Sequence, residues 1–136
     1  MPVKFKSLLF LTAVFLSSGT SCQNHNNCSK FKIGRFLFHS KFDNSTTIIE
    51  RNDSIQTETN LNSGVIVKSK VKWTGECEYL LTYYDQSKKS SDSIVLYVQT
   101  HPLITKILKT GKDYYIFQSS MGGVDQVLTD TLKVLK

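Results

Sequence analysis

The chain has 136 residues, of which 40% are hydrophobic and 11% aromatic. That is enough for one domain and no more, which excludes large multidomain machinery. Its 17 basic and 11 acidic residues give a formal charge of +6; the lysines are spread along the chain, which reads as solvated sheet surface rather than a nucleic-acid patch.

Residues 1–21 begin with Lys4 and Lys6, continue with the apolar run Leu8 to Leu16, and end in the small residues Ser17 to Ser21. This is the grammar of a secretory signal peptide. The apolar run is too short for a permanent bilayer span, and no second such run follows, so no transmembrane segment is expected in the mature chain. Without the signal the charge falls to +4, since it holds two basic residues and no acidic one. Gly19-Thr20-Ser21-Cys22 resembles a bacterial lipoprotein processing site, in which the cysteine becomes the acylated first residue. The first of the four positions is usually aliphatic, and here it is Gly19.

Three cysteines leave one thiol unmatched in an exported chain. If Cys22 carries lipid, Cys28 and Cys77 remain to pair in an oxidising compartment. Their loop of about 50 residues would contribute roughly 4 kcal/mol in the chain-entropy model. With ordinary signal cleavage, Cys22 pairs with Cys28 and Cys77 stays free. Residues 22–30 read as a polar tether. His25 and Cys28 are spaced like half a metal site, but no second half lies nearby, so neither a metal nor a cofactor is expected.

A first strand is predicted over residues 31–38, with Gly34 as a bulge or close approach. A second covers residues 46–51, Asn52-Asp53 turns the chain, and residues 54–59 return as a weakly apolar strand near an edge. Residues 64–85 form the central hairpin. Val65, Val67, Val71 and Trp73 share one face, with Lys68, Lys70 and Lys72 on the other. After Thr74-Gly75, Cys77, Tyr79, Leu81 and Tyr83 share a face, opposite Glu76, Glu78, Leu80, Thr82 and Tyr84. Glu76 and Glu78 then read as cross-strand ion-pair partners of those lysines. Asp85 to Asp92 is an all-polar loop, and Ile94 to Val98 reads as a buried strand broken at His101-Pro102. Leu103 to Thr110 fits either period, but the following Gly111-Lys112-Asp113 and Tyr114 to Phe117 favour a hairpin. Gly122-Gly123 is a turn, and a last strand runs from Val127 to Leu135.

Eight or nine short strands, with no helix predicted after the signal, point to an all-β fold. A small antiparallel meander closing into an up-and-down, lipocalin-like barrel over residues 31–136 removes exposed edges. It is preferred to a sandwich.

Gly-rich phosphate loops, G-x-S-x-G and H-E-x-x-H are absent from the sequence. His39 and His101 have no neighbouring nucleophile in sequence. Aromatic residues at strand positions are first of all core. Trp73, Tyr79, Tyr83, Tyr97, Tyr115 and Phe117 are the candidates for lining a ligand cavity. Asp53-Ser54-Ile55, Asp92-Ser93-Ile94 and Asp130-Thr131-Leu132 resemble the O-glycosylation motif of exported Bacteroidota proteins, which would place glycans on Ser54, Ser93 and Thr131. The same triplets are also natural turn-to-strand steps.

Cys28, Lys32, Gly34 and Phe36, then the run Arg51 to Glu58, then Trp73, Cys77, Tyr79, Leu81 and Tyr83 follow one another in an order that resembles a family of short exported Bacteroidota proteins. The likeness spans about half of the mature chain and has no established activity attached. Some members carry a DNA topoisomerase label, but a chain of this size has no room for such an enzyme's domains and DNA gate. The two matching cysteines imply a Cys28–Cys77 disulfide. In this phylum, acidic residues just after the lipidated cysteine resemble a surface-export signal; their absence leans towards a periplasm-facing lipoprotein.

The expectation is a non-enzymatic, envelope-anchored or secreted barrel that binds a small apolar ligand or an envelope partner. It would meet the membrane through lipid on Cys22 and would not bind nucleic acid. The alternatives are a structural accessory subunit of an envelope complex and, less favoured, a hydrolase whose site is assembled in space.

Overall fold

Short runs with one apolar face, joined by tight turns, make each strand pair with the one before it. The computed structural model describes residues 26–88 and 93–136. The expected signal segment 1–21, Cys22 and His25 lie outside the described residues. Eight antiparallel strands follow one another around a closed barrel: β1 Gly34–His39, β2 Thr46–Arg51, β3 Ile55–Asn60, β4 Ile66–Trp73, β5 Glu78–Gln86, β6 Leu103–Thr110, β7 Tyr114–Met121 and β8 Val127–Val134. Closure comes from β8 against β1, with Phe36 opposite Val134 and Phe38 opposite Leu132. The up-and-down barrel expected from the alternation is therefore the fold.

The two ends of the barrel differ. At one end a single 3-10 turn, Cys28–Phe31, lies across the opening, with Cys28 and Phe31 buried. A disulfide joins Cys28 to Cys77, in the β4–β5 connection. That is the pairing implied by the family resemblance. Gly34 starts β1 at φ 151°, a conformation that side chains disfavour. It lets the chain pass from the plug into the wall, and a Cβ there would sit 3.3 Å from the Phe36 ring.

At the other end the loops of β1–β2, β3–β4 and β7–β8 and the long β5–β6 crossover surround an open mouth. The crossover contains α1, Ser93–Thr100. This corrects two expectations, that Ile94 to Val98 is a strand and that no helix follows the signal. The eight other strands already close the ladder, so a ninth has no neighbour to pair with. Residue pairs four apart meet on a helix, and Tyr97 stacks on His101 with ring centroids 3.7 Å apart. The helix stops before His101-Pro102, where proline disfavours helical backbone for the residue preceding it.

Other boundaries move as well. Phe31 belongs to the plug, not to the first strand, and the folded body takes in Cys28 to Lys30 from the predicted tether. β3 is no edge, because it pairs with both β2 and β4. β5 runs on to Gln86, so the polar loop starts later than Asp85; its residues 89–92 lie outside the described ones. Glu78 faces Lys106 on β6, with Nζ 3.6 Å from its carboxylate, rather than the lysines of β4. The register explains this, since Glu78 lies directly opposite Lys106, whereas the hairpin pairs β4 with residues from Tyr79 onward.

Candidate functional site: the barrel lumen

The wall residues that point inward divide the interior into a filled floor and an open chamber. The floor is built from Phe31, Phe36, Tyr79 and Tyr115, all at most 2% exposed. Phe31 and Tyr115 rings meet at 5.1 Å and Phe36 packs edge-on to Tyr115 at 5.8 Å. The aromatic contacts continue up the wall from Tyr115 to Phe117 and from Phe117 to Phe38, with the offset and edge-on geometries that ring quadrupoles favour.

Inside this floor lies Arg51, at the end of β2 and only 3% exposed. A buried guanidinium is tolerated only when its donors are satisfied, and here they are distributed over four partners. Nε donates to Gln56 Oε1 (2.7 Å), and Nη1 donates to the Phe31 carbonyl (3.0 Å). Nη2 donates to the hydroxyls of Tyr79 (3.1 Å) and Tyr115 (2.9 Å). Arg51 also lies over the faces of Tyr79 and Phe36, 4.6 and 5.1 Å from the ring centroids. Burial opposes its charge, but the phenolic oxygens and Glu58 more than offset this, and the guanidinium stays protonated. Burial likewise pushes the Tyr79 phenol well above its ordinary value, with Tyr115 adding to the shift, so Tyr79 is neutral.

The polar chain climbs towards the mouth. Because Gln56 Oε1 accepts from Arg51, its amide nitrogen must face the other way, and it donates to Glu58 Oε1 at 2.6 Å. Arg51, Gln56 and Glu58 thus form a relay in which each link donates towards Glu58. Among the described residues, only Gln56 donates to Glu58. This carboxyl is half-buried in the wall and borders the open chamber. Burial raises its pKa above the usual carboxylate range, partly offset by the Gln56 hydrogen bond and the Arg51 charge.

Above the relay is a cavity of about 490 Å³, within the usual size range of small-molecule sites. Its lining is mainly apolar, including Phe38, Ile49, Leu81, Leu103, Phe117 and Leu132. Polar groups enter this lining from Gln56, Glu58, Tyr79, Ser120 and Gln126 and from the hydroxyl pair of Thr105 and Ser119, 2.7 Å apart. At the rim, Tyr97 of α1 donates its hydroxyl to the Gly122 carbonyl at 2.6 Å, tying the helix to the β7–β8 turn. Gly123 follows at φ 81°, with Tyr97 Oη 3.0 Å from where a Cβ would stand.

The six aromatic candidates are distributed over four places. Tyr79 and Phe117 line the chamber. Tyr115 is sealed in the floor, and Trp73 packs against Tyr79 at the closed end, its buried indole N–H without an acceptor among the described residues. Tyr97 sits at the rim, and Tyr83, near the far end of β5, is half-buried outside the chamber lining. Ser54 is exposed in the β2–β3 turn, Thr131 is half-buried on β8, and Ser93 begins α1. The histidines lie apart: His39 contacts Thr46, while His101 contacts Thr100 and the Tyr97 carbonyl. No cluster of three or more metal-ligating side chains occurs among the described residues.

Sequence reading missed Arg51, Gln56 and Glu58 as interior residues. The available signal was parity, since Arg51 shares its face with buried Ile49 and Gln56 shares its face with Glu58. No protein-family model, curated protein or solved structure matches the chain.

Proposed function

We propose that this protein is a non-enzymatic binding protein for a small, mainly apolar ligand held in the open half of its barrel. The observation that carries this reading is the cavity of about 490 Å³, apolar on most of its wall and closed below by a hydrogen-bonded floor. Small barrels of this strand number have room for one small ligand, and burying apolar surface in a preformed chamber drives such binding. We place the protein in an exported, oxidising compartment, which the Cys28–Cys77 disulfide favours. The signal-like residues 1–21 and lipid on Cys22 complete that reading. The intact mass of protein isolated from membranes tests it, because an unmodified mature chain would remove the anchor.

The ligand reading is tested with the uncharged apolar fluorophore N-phenyl-1-naphthylamine. One probe should bind per chain, with enhanced emission. Ser119→Phe, which projects a ring into the chamber, should weaken binding by about tenfold or more, some 1.4 kcal/mol. The unfolding midpoint should change little. No binding, or equal binding by the variant, would overturn the reading. A second reading, an accessory subunit of an envelope complex, is favoured by apolar residues exposed on elements of the open end. Phe42 is fully exposed, and Leu61, Leu96, Val127 and Leu128 about half exposed, as at surfaces that meet a partner.

A further inference from the structure

Among the described residues that line the chamber, Glu58 is the one carboxyl group, and its placement decides which kind of polar end a ligand can carry. Glu58 borders the cavity and uses Oε1 to accept from Gln56. Gln56 cannot turn its carbonyl towards Glu58 without abandoning Arg51 Nε. The relay therefore delivers a hydrogen-bond acceptor to the chamber, with Oε2 free of any donor among the described residues. The one buried cation among the described residues is no substitute partner for an acidic ligand. Arg51 lies in the floor, outside the chamber lining. Its guanidinium donates to Gln56, Phe31, Tyr79 and Tyr115 and lies against the Tyr79 ring. A ligand carboxylate would have to displace those partners to reach it, and would meet Glu58 first.

From these contacts we infer that the lumen selects apolar molecules ending in a protonated amine, with Glu58 as the residue that determines specificity. The inference rests on the lumen being the ligand site. An ammonium has three donors and no acceptor, so it complements a carboxylate oxygen on the wall of a mainly apolar chamber. An alcohol supplies one donor without charge and ranks second. A carboxylate places like charges together beside a mainly apolar wall and ranks last. The repulsion between a bound ammonium and Arg51 is weaker than its attraction to Glu58, because Gln56 separates the two charges of the relay.

The test is calorimetric titration of the full chain with decylamine, 1-decanol and decanoate at pH 7.5, below their aggregation concentrations. Decylamine should bind about tenfold or more tightly than decanoate, with decanol between them. Glu58→Gln keeps the shape and the Gln56 contact while removing the charge. It should weaken decylamine about tenfold and leave decanol within about threefold. Decanoate binding as tightly as decylamine to the wild-type protein would overturn the inference by itself, even if the variant fails to fold. So would an unchanged amine-to-acid ratio in Glu58→Gln. Decanol binding in either case keeps the lumen as the ligand site. Failure of all three molecules would overturn both.

Discussion

Replacing Arg51 by methionine probes the floor directly. Methionine preserves an unbranched stem of similar length and removes every donor. The Tyr79 and Tyr115 hydroxyls, 3.2 Å apart, can still bond each other. The Phe31 carbonyl and Gln56 Oε1 lose their donor. Two orphaned buried acceptors cost about 1–3 kcal/mol each, and breaking a buried charged network by removing one member costs about 3–5 kcal/mol. The expected loss is therefore about 3–5 kcal/mol. At about 4 °C per kcal/mol for a domain of this size, Tm falls by about 12–20 °C. Urea unfolding at pH 7 measures the loss, and an unchanged slope with denaturant attributes it to the native state. Arg51→Lys is the informative control. It keeps the charge but lacks the planar fork that reaches four partners, so most of the loss should persist. A loss below about 1 kcal/mol in Arg51→Met would show that the network contributes nothing net and refute the reasoning.

Glu58 gives the stability curve a second signature. Its folded pKa lies above 4.5, so the native state holds its proton more tightly than the unfolded chain does. Its contribution is complete below the unfolded pKa and is lost as pH rises through the folded one. Glu58→Gln should abolish that decline, and equal slopes above pH 4.5 in the two proteins would count against it. Asp43 behaves oppositely, because the hydrogen bonds from Ser45 lower its pKa below 3.8; its contribution is present at higher pH and lost in acid. Replacing Cys28 and Cys77 together by alanine should cost about 4 kcal/mol, from a loop of sequence separation 49, read by unfolding in urea. A cost under about 1 kcal/mol would mean that the plug holds without the cross-link. Trp73→Phe should cost less than about 1.5 kcal/mol, because the buried indole N–H has no acceptor to lose. A loss above about 3 kcal/mol would reveal a polar contact of that N–H.

What could be read from the chain followed the strength of alternation. Val71, Tyr79 and Leu81 declare an inward face because Lys70 and Lys72, Glu78 and Thr82 stand beside them on the other parity, and all three are buried. The central hairpin and its Thr74-Gly75 turn were therefore legible, and so was the meander around them. β3 was legible as a strand, but its inward face was not, because its inward residues Gln56 and Glu58 are polar and its outward Ile55 is apolar; the pattern inverts where a polar network replaces the core. α1 was hidden for another reason. Ile94 to Val98 is a short β-branched apolar run that fits either period, and only the count of ladder positions in a closed barrel excludes the strand. The cavity was not legible either. Phe117 and Tyr115 are two residues apart on one face of β7, yet one borders the chamber and the other is sealed below it. What separates them is the height of the plug, which is set by the Cys28–Cys77 link.

That the plug precedes β1 has a vectorial consequence. The chain joins the barrel at its sealed base, and five residues separate Cys22 from Cys28, a span of six Cα steps. Fully extended they reach about 20–22 Å, close to the length of an eight-residue strand at about 3.3 Å per residue. A lipid on Cys22 would hold the base towards its own bilayer and turn the mouth to the far side of the compartment. Cargo would then pass between the chamber and whatever faces that side, while the anchoring membrane served only as a mooring.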